Sequence, residues 1–154
     1  MRLTLRTDYA LRALMALAEA GERGATAGEI AEAYGVSTGH MRKVLQALTG
    51  LALVHPGRGR GQRSHLALPP AAISVGAVVR ALEPLEVVEC FADPSEGEGC
   101  RLMGRCTLAG RLGAAQEAFL ATLDTTSLAD VASSAERLEL VPLRRRPAQE
   151  ASHP

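Results

Sequence analysis

A mainly α fold with one small β-hairpin is what this sequence predicts, arranged as a winged helix-turn-helix domain followed by a long C-terminal dimerisation helix. Three observations predict it. Apolar residues recur at helical spacing in separate stretches, from Leu11 to Ala18, Met41 to Leu48, Ile73 to Leu82 and Leu108 to Leu123. Gly21, Gly35 and Gly50 stand where the first three helices must stop. Between Leu51 and Leu68 the periodicity changes to two short apolar runs around the glycine-rich stretch Gly57-Arg58-Gly59-Arg60-Gly61-Gln62-Arg63, the pattern of a hairpin with a long tip.

The first helix is expected from about Thr7 to Ala20, with Leu11, Leu14, Met15 and Ala18 inward. Thr26 followed three residues later by Glu29 is a capping-box pattern and starts a short second helix through Ile30, Ala31 and Tyr34. Ser37 caps a third helix whose inner face is Met41, Val44, Leu45 and Leu48, leaving His40, Arg42, Lys43 and Gln46 outside. Strands are expected over Leu51 to Val54 and His65 to Leu68. Pro69 and Pro70 separate the hairpin from a fourth helix through Ile73, Ala77, Val78, Ala81 and Leu82, capped in part by Ser74 and ended by Pro84. The segment from Val87 to Arg105 has no sustained period and reads as a loop. From Thr107 the helical pattern returns, and Leu108, Leu112, Ala115, Phe119 and Leu123 describe a long apolar stripe before Asp124, suited to pairing with its own copy. Leu128 to Val131 forms one more turn, and the Arg144-Arg145-Arg146 tail reads as disordered. The expected units are a DNA-binding domain over 1–83, a cysteine-bearing loop over 84–106, a dimerisation helix and turn over 107–133, and a tail over 134–154.

Composition narrows the function. Hydrophobic residues make up 47% and charged residues 22% of the 154, a globular balance, and no apolar run reaches the eighteen or so residues of a membrane span. The stretch from Ala13 to Ala18 is preceded by Asp8 and Arg12 and followed by Glu19 and Glu22, which is unlike a signal peptide. An odd count of three cysteines without a secretion signal points to reduced thiols and to the cytoplasm. The zero net charge conceals an asymmetry: residues 1–80 carry ten Lys/Arg against five Asp/Glu, and residues 81–154 carry seven against twelve. A basic half suggests a polyanionic partner, while aromatics at 3% argue against a stacking platform for single strands.

In a helix-turn-helix the second of the two helices enters the major groove of duplex DNA. Ser37, Thr38, His40, Arg42 and Lys43 are the candidate contacts there, with Arg58, Arg60 and Arg63 on the wing, where glycines admit close backbone approach and guanidiniums pair with phosphates or enter a narrow minor groove. Taken singly, each of these cations is ordinary solvated surface; the ordered elements and the charge asymmetry make the set informative. No catalytic triad is apparent, and His40, His55, His65 and His153 form no recognisable constellation with Cys or Asp, so an enzyme is not expected.

Cys90, Cys100 and Cys106 fall within seventeen residues, separated by nine and five others. Those gaps are too long for a zinc knuckle, and a Cys-x-x-Cys redox pair is absent. Three thiolates on one loop suit the irons of an iron-sulfur cluster, which then needs a fourth ligand from elsewhere.

The chain resembles the iron-sulfur winged-helix transcription regulators that include IscR and NsrR, from Met1 to about Val131. The resemblance is carried by the opening Leu3-Thr4-x-x-Thr7-Asp8-Tyr9-Ala10-Leu11-Arg12, by Gly57-Arg58-Gly59-x-Gly61, by Val87-Val88-Glu89-Cys90, and by Cys100-x5-Cys106 ahead of a helix containing Gln116-Glu117-Ala118-Phe119. Thr-Asp-Tyr-Ala-Leu-Arg and the lack of a histidine just after Cys106 make it most similar to the nitric-oxide-sensing repressors of the NsrR type. The resemblance implies a cluster, 4Fe-4S or alternatively 2Fe-2S, held by Cys90, Cys100 and Cys106 with Asp8 from the partner subunit as the fourth ligand. Asp8 has a reading that needs no metal, a carboxylate at the positive end of a helix dipole. One departure stands out: relatives of this type have about five residues between the first two cysteines, and the longer loop here adds only a few tenths of a kcal/mol to its closure.

The expected function is therefore a homodimeric repressor on a double-stranded DNA operator, released when nitric oxide attacks the cluster. Two alternatives are an iron-sulfur regulator of the same build that answers to iron or cluster status, and, from another class, an iron-sulfur or thiol electron-transfer protein.

Overall fold

The structure, a computed structural model, describes residues 3–57, 62–85 and 105–134. Arg58, Arg60, Cys90, Cys100 and the tail expected to be disordered lie outside the described residues.

Six α-helices and one hairpin are described: α1 (Leu5–Ala20), α2 (Ala27–Tyr34), α3 (Thr38–Gly50), β1 (Val54–His55), β2 (His65–Leu66), α4 (Val75–Leu82), α5 (Thr107–Asp124) and α6 (Leu128–Ser134), with short 3-10 turns at Gly21–Arg23 and Pro70–Ala72. α1 begins earlier than its apolar period suggests, because Thr4 caps it by accepting the Thr7 N–H at 3.3 Å. The expected capping box of α2 is present, with Thr26 Oγ1 accepting from the Glu29 N–H at 3.1 Å and Glu29 Oε2 from the Thr26 N–H at 2.8 Å. Gly35 ends α2 in the left-handed region, at φ 65°, where a glycine carries no Cβ penalty. Ser37 and Ser74 cap α3 and α4 as their positions suggest.

The strands are shorter than expected. Residues 51–53 reverse the chain after α3: Leu51 N–H bonds back to Ala47, Ala52 takes φ 56°, and Leu53 N–H donates to Leu48 O at 3.0 Å while Leu53 O accepts the Ala67 N–H across the hairpin at 2.9 Å. β1 and β2 then pair antiparallel, Val54 opposite Leu66 and His55 opposite His65. A further bridge joins Ala25, in the turn before α2, to Ser64 on the return arm of the hairpin.

α1 forms the centre of the core. Ala10, Ala13 and Ala16 keep its surface low, and Leu14 and Leu17 are buried between them. Met41, Val44, Leu45 and Leu48 of α3, Ile30 of α2, Val78 and Leu82 of α4, Val54 of β1 and Leu128 of α6 join the same apolar cluster. Burying each such side chain is worth roughly 1.5–3 kcal/mol. The N-terminus is tied to the end of α4 by Glu83, whose Oε1 accepts from Thr4 N–H at 2.6 Å and Thr4 Oγ1 at 3.1 Å.

α5 has the bounds expected, but its buried residue is Leu120, which lies off the anticipated stripe. Leu120 belongs to the face on which α5 rests against its own α4, where Gly76 meets Asp124 and Arg80 pairs with Asp124 at 2.8 Å and with Glu117 at 3.5 Å. On the stripe itself Leu108 is 65% exposed, and Leu112, Phe119 and Leu123 are half-buried. α6 is pinned beside α4 by Val75 N–H to Thr126 O at 2.9 Å and Leu128 N–H to Ile73 O at 2.8 Å.

A Cβ added to Gly76 would stand 2.5 Å from the Asp124 amide nitrogen, a backbone atom that cannot swing aside. Gly76→Ala therefore destabilises the protein by about 1–3 kcal/mol through overpacking, which outweighs the roughly 1 kcal/mol gain in helix propensity. Urea unfolding reads this as a lower midpoint at unchanged slope; a raised midpoint would show that α4 and α5 are not in close contact.

Candidate nucleic-acid interface

α3 has one buried side and two differently furnished flanks. Met41 and Leu48 point inward, and the alternation of buried and exposed positions turns Thr38, Arg42, Gln46 and Thr49 to one flank and His40 and Lys43 to the other. The first flank forms a groove of about 770 Å³ with Thr26, Ala27 and Gly28 at the start of α2 and with Pro56, Gly57, Gln62 and Ser64 at the base of the hairpin. The second borders a recess of about 410 Å³ against Leu5, Arg6 and Tyr9 of α1. Arg42 and Lys43 are exposed, and among the described residues neither forms an ion pair. Ser37 uses its hydroxyl to accept the His40 N–H at 3.1 Å, so its first duty is to start the helix.

The hairpin base is held closely. Gly57 lies against Gln62, and a Cβ there would meet the Gln62 carbonyl carbon at 2.5 Å, a crossing that glycine alone permits. Arg63, expected among the wing cations, has its guanidinium engaged within the protein: Nη1 donates to Glu29 Oε2 at 2.9 Å and to Gly24 O at 3.1 Å, and Nη2 donates to Glu29 Oε1 at 2.8 Å. Arg23 adds a longer contact to the same carboxylate at 3.3 Å. The Thr26 backbone N–H, together with hydrogen bonds and charge from Arg63, holds Glu29 at a pKa of about 2, against the opposing effect of burial.

Of the four proposed cluster ligands, Asp8 and Cys106 are described. Asp8 sits in the first turn of α1, partly exposed, its Oδ1 accepting from Arg12 Nε at 2.9 Å. Cys106 occupies the N-cap position of α5 without a side-chain capping bond, partly exposed and with its thiol free. Among the described residues no three His, Cys, Asp or Glu side chains converge as a metal site, and no helix is long and apolar enough to cross a membrane.

Residues 3–134 match the Rrf2 family, described as iron-dependent transcriptional regulators. The chain belongs to the Rrf2 family. Among solved structures, this Rrf2 protein is similar to IscR from T. potens, with a TM-score of 0.70, 23% identity, and 90% of this chain and 91% of that one covered. It is also similar to the oxidised form of CymR from Staphylococcus aureus, with a TM-score of 0.67, 23% identity and coverage of 86% and 96%. CymR of B. subtilis, named the global cysteine regulator of that organism, matches at a TM-score of 0.64, 26% identity and coverage of 86% and 97%. The chain is thus a transcription regulator with the helical, hairpin-bearing fold of its family, and these structures agree with the winged helix the sequence suggested.

Sequence reasoning did not single out Thr26, Ala27, Gly28, Thr49 or Gln62 as lining the groove beside α3, and it named Gln46 only as an outer residue. The small Ala27-Gly28 pair after a capping threonine was the available signal, since it leaves a helix N-terminus open to anions. The partnership of Glu29 with Arg63, 34 residues apart, left no trace in local spacing.

Because Glu29 has a pKa near 2 when folded and an ordinary value of 4.5 otherwise, its interactions stabilise the fold fully above pH 4.5 and lose that effect as pH falls toward 2. Glu29→Gln is expected to be less stable than the parent at neutral pH, with the two unfolding curves converging as the solution is acidified. Urea midpoints across that range check it; curves that stay parallel would show that Glu29 ionisation is not linked to folding.

Proposed function

We propose that this Rrf2 regulator is a transcriptional repressor that binds operator DNA as a homodimer. The observation that carries the reading is the pair of exposed cations Arg42 and Lys43, which form no ion pair among the described residues, on a capped helix flanked by a groove and the base of a hairpin. α3 would enter the major groove with Thr38, His40, Arg42, Lys43 and Gln46 along its outer side, and Arg58 and Arg60 would reach the flanking backbone or minor groove. In a two-fold dimer the two recognition helices would stand about 34 Å apart. The partly covered stripe of α5, exposed Leu108 with half-buried Leu112 and Phe119, is the surface proposed to meet its copy.

The same proposal extends to an iron-sulfur cluster, 4Fe-4S or 2Fe-2S, held by Cys90, Cys100, Cys106 and Asp8 of the partner subunit. The donor set suits it as far as it is described: Cys106 has a free, accessible thiol, and the Asp8 carboxylate is partly exposed with one oxygen steadied by Arg12. When bound, the cluster would supply irons open to nitric oxide, the oxygen-ligated one being the least shielded. The chain's contribution is to carry Asp8 on α1, whose opposite face packs on α3, so that release of Asp8 alters the support of the reading helix. Iron or cluster supply is the second reading of the signal, favoured by the description of the matching family as iron-dependent.

Lys43→Ala is expected to weaken duplex binding about tenfold at low salt and to reduce the slope of log affinity against log salt by about one. Fluorescence anisotropy titrations read both; an unchanged slope would place Lys43 away from phosphate. Protein purified anaerobically with ample iron should be coloured, and Cys106→Ser should abolish its visible absorbance. Nitric oxide should then weaken operator binding, whereas equal affinity before and after exposure would leave iron as the signal. A colourless, iron-free protein would remove the cluster altogether.

A further inference from the structure

The wing arginines were read from sequence as one group, yet Arg63 differs in kind from Arg42 and Lys43. Its guanidinium meets Glu29 through both oxygens and also bonds to Gly24 O, so the planar fork is fixed in direction by the first turn of α2 and by the turn just before it. The neighbouring residue Ser64 exchanges two backbone hydrogen bonds with Ala25, Ala25 N–H to Ser64 O at 3.1 Å and Ser64 N–H to Ala25 O at 2.8 Å. On the other arm Gly57 is pressed against Gln62. Both ends of segment 58–61 are thereby referred to the N-terminus of α2, and Gln62 and Ser64 line the groove beside α3.

We infer that Glu29 and Arg63 are positioning residues for the wing: their ion pair locks the return arm of the hairpin onto the α2 N-terminus at the spacing a DNA duplex requires, and Arg63 is not itself a phosphate contact. The inference rests on the DNA-binding reading above. Two physical points support it. A guanidinium already neutralised by a carboxylate has no unbalanced charge with which to displace counterions from DNA. Glu29 stays ionised throughout the neutral range, so the pair persists wherever the protein works. The stability that Glu29 contributes comes first from the Thr26 N–H; the ion pair with Arg63, its side chains 37% and 33% exposed, adds little to it, and the role of that pair lies in direction.

The two roles for Arg63 predict opposite signs. For the full-length protein and a fluorescein-labelled duplex of mixed sequence, Glu29→Gln is expected to weaken binding about fivefold, although it makes the protein more positive. Arg63→Lys, which keeps the charge but loses the fork, should weaken it about as much as Arg63→Met, both with the parental salt slope. If Arg63 touched phosphate, Glu29→Gln would free it and tighten binding, Arg63→Lys would behave like the parent, and Arg63→Met would lower the slope by about one. Those results would overturn the inference. Amide hydrogen exchange supplies a readout that needs no DNA: exchange at Ala25 and Ser64 should quicken in Arg63→Met while Leu14 and Leu48 in the core keep their protection. Unchanged exchange at Ala25 and Ser64 would refute the clamp. A parent protein that binds no duplex but shows the quickened exchange would instead retire the DNA-binding reading.

Discussion

α1 is the wall on which the rest is assembled. Ala10, Ala13 and Ala16 let neighbouring helices approach closely, and Leu14 and Leu17 fill the space between, so α3, α4 and α6 share one apolar cluster with it. Protein interiors packed to crystal-like density transmit displacement instead of absorbing it. The same helix presents Asp8 and Arg12 to solvent on its outer side, and Arg12 lies 5.7 Å from the Tyr34 ring at the end of α2. A force applied at Asp8 therefore reaches both members of the helix-turn-helix through atoms already in contact. That arrangement supports a sensor on one side of α1 and a reader on the other. It is a two-state coupling only if the loaded and unloaded forms differ in DNA affinity.

Charge is divided by use. Arg12, Arg23, Arg63 and Arg80 all sit beside carboxylates of the same chain, Asp8, Glu29, Glu29 and Asp124 respectively. Arg42 and Lys43 have no such partner among the described residues. The excess of positive charge in the N-terminal half is thus not spread evenly over its surface. Among the described residues it is cancelled at these four arginines and left free at Arg42 and Lys43 on α3 and at Arg6 on α1, beside the same recess as Lys43. A net charge of zero for the whole chain conceals this, because the compensating acids lie mostly beyond residue 80.

Much of this could be read from the chain before its structure. The capping box of Thr26 and Glu29, the serine caps of α3 and α4, and the bounds of α5 follow from local chemistry, and local chemistry is what a sequence displays directly. The strands were over-extended because Leu51 to Leu53 are apolar and look like the start of a strand, whereas backbone bonds from Leu51 and Leu53 to α3 turn them back on the helix. The role of Arg63 was illegible for a different reason. Nothing in a glycine- and arginine-rich run distinguishes a guanidinium that will meet solvent from one that will meet a carboxylate 34 residues away. Cys90 and Cys100 belong to residues beyond those described, so the candidate cluster still rests on spacing and resemblance.

α5 shows how one amphipathic pattern can conceal two surfaces. Leu120 and Asp124 face α4, and close contact at Gly76 makes that packing intimate. The stripe chosen by periodicity, from Leu108 through Leu112 and Phe119, runs along a different side and is not fully covered by the protein's own core. A helix that needed only to dock on its own domain would require one apolar face. A second line with Leu108 exposed and Leu112 and Phe119 only half-buried carries a cost in exposed apolar area, and such lines are kept where a partner removes them from solvent. The second copy of this chain satisfies that need most simply, since a two-fold axis brings like surface onto like. It would also place the Cys106 end of α5 within an assembly in which Asp8 of the partner subunit could serve as a ligand, so the proposed cluster requires the proposed dimer, whereas the dimer does not require the cluster.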